Sequence, residues 1–345
     1  MKILAIQFRY FGDAALLTPA LRAIKERFPG CELHVLVAEE VVPMLQHLTW
    51  LERVWAFPRK RGRASFRRAW PILRDLRQQR FERSVDFAGN DRGALVSLLC
   101  GARERLGPVR PGGFFGRCFC YSRKVRFPET QAQPKHQSLS NFQLLSTWGI
   151  ATPDQPELEI RADPALAERA RQLWPAPGIL CHLGTSQPKK EWPLVHWCEF
   201  HRLASEAGYE VTFSSGPSAR EQGLLAALRL QTPSAATLPL LPDLGLFLAV
   251  LSRAHLFVSG DTGPLHFAAG LGVPTIGLFG PSSKEVWAPL GAGHQALQAG
   301  GCTCSVHSAE CVSQSPCMGS ISPEAVLRLL RVKGSLEISK AASGH

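Results

Sequence analysis

Between Phe257 and Phe279 the chain reads FVSGDTGPLHFAAGLGVPTIGLF. An apolar strand runs into Gly260, Asp261, Thr262 and Gly263; a short helix carrying His266 follows, and a second apolar strand begins at Pro274. That layout sets backbone N–H groups, a hydroxyl, a carboxylate and an imidazole at the carboxyl end of a parallel sheet. Open α/β sheets bind ligands there, and a helix N-terminus attracts phosphate. Gly260, Gly263, Gly270 and Gly272 allow close backbone approach to a ligand. Asp261 and Thr262 are equally suited to capping the helix, and His266 to the edge of a core. Taken alone, the segment reads as a site for a nucleoside diphosphate.

Three further strand-end loops carry a similar inventory. Phe8–Asp13 lacks the G-x-G-x-x-G spacing of dinucleotide folds. It places the carboxylate of Asp13 near a helix N-terminus, either facing a cleft or capping the helix. In His182–Pro193, Thr185 and Ser186 offer hydroxyls to a phosphate, Lys189 or Lys190 offers positive charge, and Trp192-Pro193 would seat the next helix. The P-loop glycine spacing is absent. In Ser214–Glu221, Glu221 either accepts hydrogen bonds from a ribose diol or complements a helix dipole from its first turn. The four loops together carry more weight than any one of them.

The elements that must present these loops alternate along the chain. An apolar strand is expected at Lys2–Gln7, and further strands at Leu33–Val37, Arg53–Phe57, Arg83–Phe87 and around Arg105–Leu106. Helices are expected at Ala14–Phe28, Phe66–Gln79, Gly93–Leu99 and His136–Trp148, with loops at Gly112–Gly116 and Glu129–Pro134. Composition shifts to Pro, Asp and Glu from Ala151 to Pro164, where the chain would cross between domains. A second alternation starts at Gly178–Gly184 and continues through helix Leu194–Ala207, strand Tyr209–Ser215, helices Ser218–Leu230 and Asp243–Ser252, and the Phe257–Phe279 segment. A last helix is expected at Ser322–Val332, and the chain is polar from Lys333 onward. This pattern predicts an α/β protein of two doubly wound, Rossmann-like parallel-sheet domains facing a central cleft, residues 1–160 and 161–333, with a polar tail at 334–345.

Length and composition agree with that division. The 345 residues suit two domains, and 45% hydrophobic with 19% charged residues describes a globular protein. No apolar run reaches membrane-spanning length, and the N-terminus reads as a first strand, so the expected location is the cytoplasm. The net charge is +11, concentrated in two basic groups, Arg59 to Arg83 and Arg103 to Arg126. They either solvate the surface or attract an anionic partner: a phosphorylated glycan or an acidic membrane, with nucleic acid not expected because no recognition motif is present. Cys302, Cys304, Cys311 and Cys317 follow C-x-C-x6-C-x5-C, without the paired C-x2-C knuckles of strong zinc sites, and no metal is expected.

These residues match a family pattern. Gly12-Asp13 with Thr18–Arg22, Lys190–Pro193, Asp261–His266 continuing to Gly277–Pro281, and Cys317-Met318 before the last helix all resemble the lipopolysaccharide heptosyltransferases of glycosyltransferase family 9, across nearly the whole chain. The resemblance implies the two-domain GT-B fold and an inverting transfer of heptose from ADP-heptose, without a cofactor. The implied acceptor is an anionic, lipid-linked core oligosaccharide at the cytoplasmic face of the inner membrane, which the enzyme would meet as a peripheral protein. By position it implies Asp13 as general base. Thr185, Ser186 and Lys190 would lie at the donor diphosphate, Glu221 at the nucleoside, and Asp261, Thr262, Gly263 and His266 at the phosphates and donor sugar. Ser186 stands where the family pattern has a second threonine, and keeps the hydroxyl. The alternatives are a transferase of the same fold using another nucleotide sugar, an epimerase or hydrolase, and a non-catalytic nucleotide-sugar or polyanion binder.

Overall fold

The computed structural model describes residues 1–9, 11–58, 66–109, 112–126, 136–302, 304, 311 and 316–330, without the side chains of residues 66 and 67. The start of the basic run at Arg59, Lys60, Arg61 and Arg63, then Arg110, the Glu129–Pro134 loop, the end of the last helix and the 334–345 tail lie outside the described residues. The chain divides into one unit ending at Ala162 and a second beginning at Asp163.

The first unit is built on strands β1 (Lys2–Gln7), β2 (Glu32–Ala38), β3 (Arg53–Phe57), β4 (Arg83–Asp86), β5 (Glu104–Val109) and β6 (Arg123–Arg126). All run parallel, in the order β3-β2-β1-β4-β5-β6. The second unit repeats the design with β7 (Ile179–His182), β8 (Val211–Ser214), β9 (Ala236–Thr237), β10 (Leu256–Gly260), β11 (Thr275–Phe279) and β12 (His294–Gln298), in the order β12-β11-β10-β7-β8-β9. The central strands are near-continuous apolar runs because helices cover both faces of such sheets. All five residues of β10 and of β11 are buried. In each unit the order reverses at one place, between β1 and β4 and between β7 and β10, which opens a crevice at the carboxyl ends of those strands. There Ile6 pairs with Asp86, and His182 with Ser259.

The structure departs from the sequence expectation in several elements. The expected helix Ala14–Phe28 is two helices, Phe11–Ala15 and Thr18–Arg27. Pro19 explains the break, since its ring would clash with the carbonyl of Ala15 in a continuous helix. The Thr18 hydroxyl instead donates to that carbonyl at 2.8 Å. Asp13 therefore lies inside a helical turn, not in the loop before it. Strands β6, β9 and β12 and the helix Ala167–Leu173 add to the expected set. The His136–Trp148 helix ends at Leu145 and tightens into a 3-10 turn over Ser146–Trp148. Residues 323–330 form the described part of the last helix. Among the described residues, no helix is long and apolar enough to cross a membrane.

Candidate functional site

In the second unit, four strand-end loops gather around the β7/β10 reversal. The loop after β7 is anchored from below by Trp192, which is buried, meets Trp197 edge-on at 4.7 Å and donates its indole N–H to the Ile321 carbonyl at 2.9 Å. This anchoring places Lys190 so that its Nζ reaches Asp261 Oδ2 at 2.6 Å, with both side chains largely buried. The Ser282 hydroxyl donates to the same oxygen at 2.5 Å. Asp261 thus joins three loops, those following β7, β10 and β11. Thr185 is buried and donates to the Gln187 carbonyl at 2.6 Å, while Ser186 is exposed on the same loop. Gly260 is needed where these loops meet. A Cβ there would stand 2.9 Å from both the Lys190 carbonyl and the Thr185 methyl.

Thr262 occupies the N-cap position of the Gly263–Gly270 helix, but its side chain makes no capping bond. The carboxylate of Asp261 is likewise turned to Lys190 and Ser282. The capping alternative for this pair therefore does not describe the structure, and their polar groups sit beside a helix N-terminus that attracts anions. His266 is buried one turn into the helix.

Glu221 stands in the first turn of the Ala219–Gln231 helix. Ser218, the N-cap, accepts from the Glu221 amide at 3.3 Å and donates its hydroxyl to Glu221 Oε2 at 2.5 Å. Oε1 of the same carboxylate lies over two bare glycines: a Cβ on Gly184 would come within 2.2 Å of it and one on Gly216 within 2.6 Å. Glu221 is thus both a first-turn acid and a carboxylate fixed at the mouth of the crevice. Beneath these loops His182 is buried at the end of β7 with Nδ1 3.0 Å from the Ser214 hydroxyl, and burial pushes its pKa down to about 4. It is neutral near pH 7 and serves as a packed support.

In the first unit, Asp13 is the third residue of the Phe11–Ala15 helix, past the capping position, and is half-buried after β1. Across the reversal, Asp86 ends β4 fully buried. It accepts from the Tyr121 hydroxyl at 2.6 Å and the amides of Ala88 and Gly89 at 2.9 and 3.1 Å. Arg9 Nε donates to the Ala88 carbonyl at 3.0 Å, tying the loops after β1 and β4 together.

A family model described as glycosyltransferase family 9 (heptosyltransferase) matches residues 69–314 of this chain. The chain belongs to glycosyltransferase family 9. Among curated relatives, lipopolysaccharide heptosyltransferase 3 of Escherichia coli is 24% identical over 293 residues, covering 81% of this chain and 84% of that protein. Among solved structures, a family 9 glycosyl transferase from Veillonella parvula superposes with a TM-score of 0.78 at 18% identity, covering 95% of each chain. The ADP-heptose lipopolysaccharide heptosyltransferase II of Escherichia coli gives 0.75 at 20% identity, covering 96% of this chain and 98% of that one. The fold is of the GT-B class, two Rossmann-like parallel-sheet units.

Three further residues shape the strand ends of this glycosyltransferase without a motif to mark them. Ser282 was visible as a hydroxyl two residues past the Gly277–Gly280 strand end. Arg220 lay inside the quoted Ser214–Glu221 stretch; it donates to the Thr185 carbonyl at 2.5 Å and pairs with Glu191. Asp86 was visible as a carboxylate inside the expected Arg83–Phe87 strand. The terminal cysteines approach one another, with Cys304 Sγ 3.5 Å from Cys311 Sγ. Burial and then the neighbouring thiols push Cys317 up to about 12. Among the described residues no group of three or more His, Cys, Asp or Glu is placed to hold a metal ion.

Proposed function

We propose that this glycosyltransferase moves a heptose from ADP-heptose to a hydroxyl of a phosphorylated, lipid-linked lipopolysaccharide core acceptor, with inversion at the anomeric carbon. The observation that carries this reading is the junction of Lys190, Asp261 and Ser282 at the carboxyl ends of β7, β10 and β11, beside the Gly263 helix terminus. Cation, hydroxyls and backbone N–H groups converge there as a departing nucleoside diphosphate requires. The likeness to an ADP-heptose lipopolysaccharide heptosyltransferase and to lipopolysaccharide heptosyltransferase 3 supports the choice of donor and acceptor.

In this mechanism Asp13 accepts the proton of the attacking acceptor hydroxyl, a role that contributes about two to four orders of magnitude in rate. The hydroxyl oxygen forms the new glycosidic bond as the bond to the diphosphate breaks. Lys190 and Ser186 meet the charge that develops on the leaving group, together with Thr262 and the Gly263 end of its helix, and the Thr185 hydroxyl joins them by turning from the Gln187 carbonyl. Glu221 reads the ribose or adenine side, and His266 lines the sugar and phosphate side. Asp261 orients the Lys190 ammonium through its 2.6 Å contact. The acceptor is met by a peripheral enzyme at the cytoplasmic face of the inner membrane, where the basic first unit draws in its phosphates.

Two assays test the reading. A donor panel of ADP-heptose against UDP- and GDP-sugars, scored by release of the nucleoside diphosphate, should give turnover with ADP-heptose alone; preference for another sugar reassigns the donor. Asp13→Ala should lose about a hundredfold or more in kcat while binding ADP as wild type does. Near-normal turnover in that variant removes Asp13 from the role of base.

A further inference from the structure

The first unit carries exposed apolar side chains to which the transfer chemistry gives no role. Six of the twelve exposed large hydrophobic side chains among the described residues fall within positions 95–119. Scattered exposed apolar residues are normal, whereas apolar side chains gathered on one patch of surface mark an interaction site. Phe115 is fully exposed at 102% and Phe119 is 74% exposed, with Phe114 beside them. The other three, Leu95, Leu98 and Leu99, share one stripe of the helix Asp91–Leu99, by their spacing of three and four.

This arrangement is built into the fold. Gly112, Gly113 and Gly116 take positive φ values of 75°, 86° and 83°, which turn the chain tightly and present the phenylalanines at its tip. Asp91, in the first turn of the helix, accepts from the Phe114 amide at 3.3 Å and from Arg117 Nη1 at 3.0 Å, stapling the loop to the helix. Ala94, one turn before Leu98, packs with Cys120 and Tyr121 below the tip. The loop and the leucine stripe are therefore held on one framework.

The charge beside the patch selects its occupant. From residue 91 to 126 the chain holds eight Arg or Lys against two acids, Asp91 and Glu104. Arg123, Lys124 and Arg126 are exposed on the edge strand β6, and Lys124 Nζ lies 5.0 Å from the centre of the Phe119 ring. Aromatic tips flanked by exposed cations fit the headgroup layer of an anionic membrane. A second copy on the same face would bring the two basic rims together and repel. We infer that the Phe114–Phe119 loop, the Leu95–Leu99 stripe and the basic edge of β6 form a docking surface for an anionic lipid bilayer. This deepens the peripheral-membrane part of the proposed function and does not depend on the sugar transferred.

Sedimentation with vesicles of equal parts phosphatidylglycerol and phosphatidylethanolamine tests it, beside vesicles of phosphatidylcholine alone. Wild type should pellet with the anionic vesicles, weakly with the neutral ones, and Phe115→Ser with Phe119→Ser should weaken partitioning about tenfold or more. The double variant should keep wild-type turnover on a water-soluble acceptor fragment lacking acyl chains. Unchanged vesicle binding in the variant overturns the proposal, as does equal binding of wild type to neutral vesicles. A wild-type dimer that the variant converts to monomer assigns the patch to a second copy instead. Vesicle binding without any heptose transfer would leave this surface standing and remove the reading of the donor site.

Discussion

Asp86 shows at the scale of one side chain how burial and hydrogen bonding contend. Burial pushes its carboxyl from the ordinary 3.8 up to about 6, while Tyr121 and the amides of Gly89 and Ala88 pull it down. A carboxyl with a higher pKa in the folded state binds more protons when folded. Its contribution favours the fold at acid pH and is lost as pH rises through about 6. The shift corresponds to about 3 kcal/mol. His182 works in the opposite sense: held down to about 4 by burial, it contributes above the ordinary imidazole value and loses that contribution as pH falls through about 4. Asp86→Asn isolates the first effect. Relative to wild type, the variant should gain stability by up to about 3 kcal/mol as pH is raised from about 4 to about 7, read from denaturant midpoints at each pH. A flat difference would show that Asp86 is an ordinary carboxylate. The carboxylate itself was legible as an acid within the expected Arg83–Phe87 strand. Its hydroxyl partner, Tyr121, lies 35 residues away, and no local pattern announces that pairing.

At the scale of elements, two glycines flanking β7 separate binding from folding. A Cβ on Gly184 meets the Glu221 side chain first, with Oε1 at 2.2 Å and Cγ at 2.7 Å, and a side chain can move aside. A Cβ on Gly178 meets the Glu210 backbone carbonyl at 2.5 Å, and the strand would have to shift. Gly184→Ala should therefore weaken ADP binding, by about tenfold if Glu221 contacts the nucleoside, with little change in Tm. Gly178→Ala should lose about 1–3 kcal/mol of stability with near-normal ADP affinity at low temperature. Calorimetry and thermal melts on the two variants check both, and the same loss in both measurements for both variants would contradict the distinction. The alternation of strands and helices was legible because apolar runs of four to seven residues alternate with amphipathic stretches. The elements that were not legible have physical reasons. β9 has two residues, too few for any period, and the half-exposed β12 mixes His and Gln with its apolar residues. The basic run of β6 reads equally as a solvated loop. The break at Thr18-Pro19 was written in the chain as a proline inside an otherwise helical pattern.

For the whole molecule the governing property is charge. A net +11 whose exposed members stand in water is screened over about 10 Å at 0.1 M salt. Lys190, with only 15% of its side chain exposed and paired to Asp261, is screened far less. Raising salt should therefore increase the KM for the phosphorylated acceptor more steeply than the Kd for ADP. Equal salt slopes would return the arginines of the first unit to a solubilising role.

By itself the sequence determined the two alternating halves, the polar inventory at the strand ends and the placement of most positive charge in the first half. These follow from local periodicity and composition, which each stretch of chain carries on its own. Only the tertiary structure decided which of those groups meet. Lys190 and Asp261 are 71 residues apart, and they touch because the strand order sets β7 beside β10 and β11 on its far side. Ser282 reaches the same carboxylate oxygen from the loop after β11. Hydrophobic periodicity records which side chains are buried; it does not record which strand will lie next to which, and the site is made of those adjacencies.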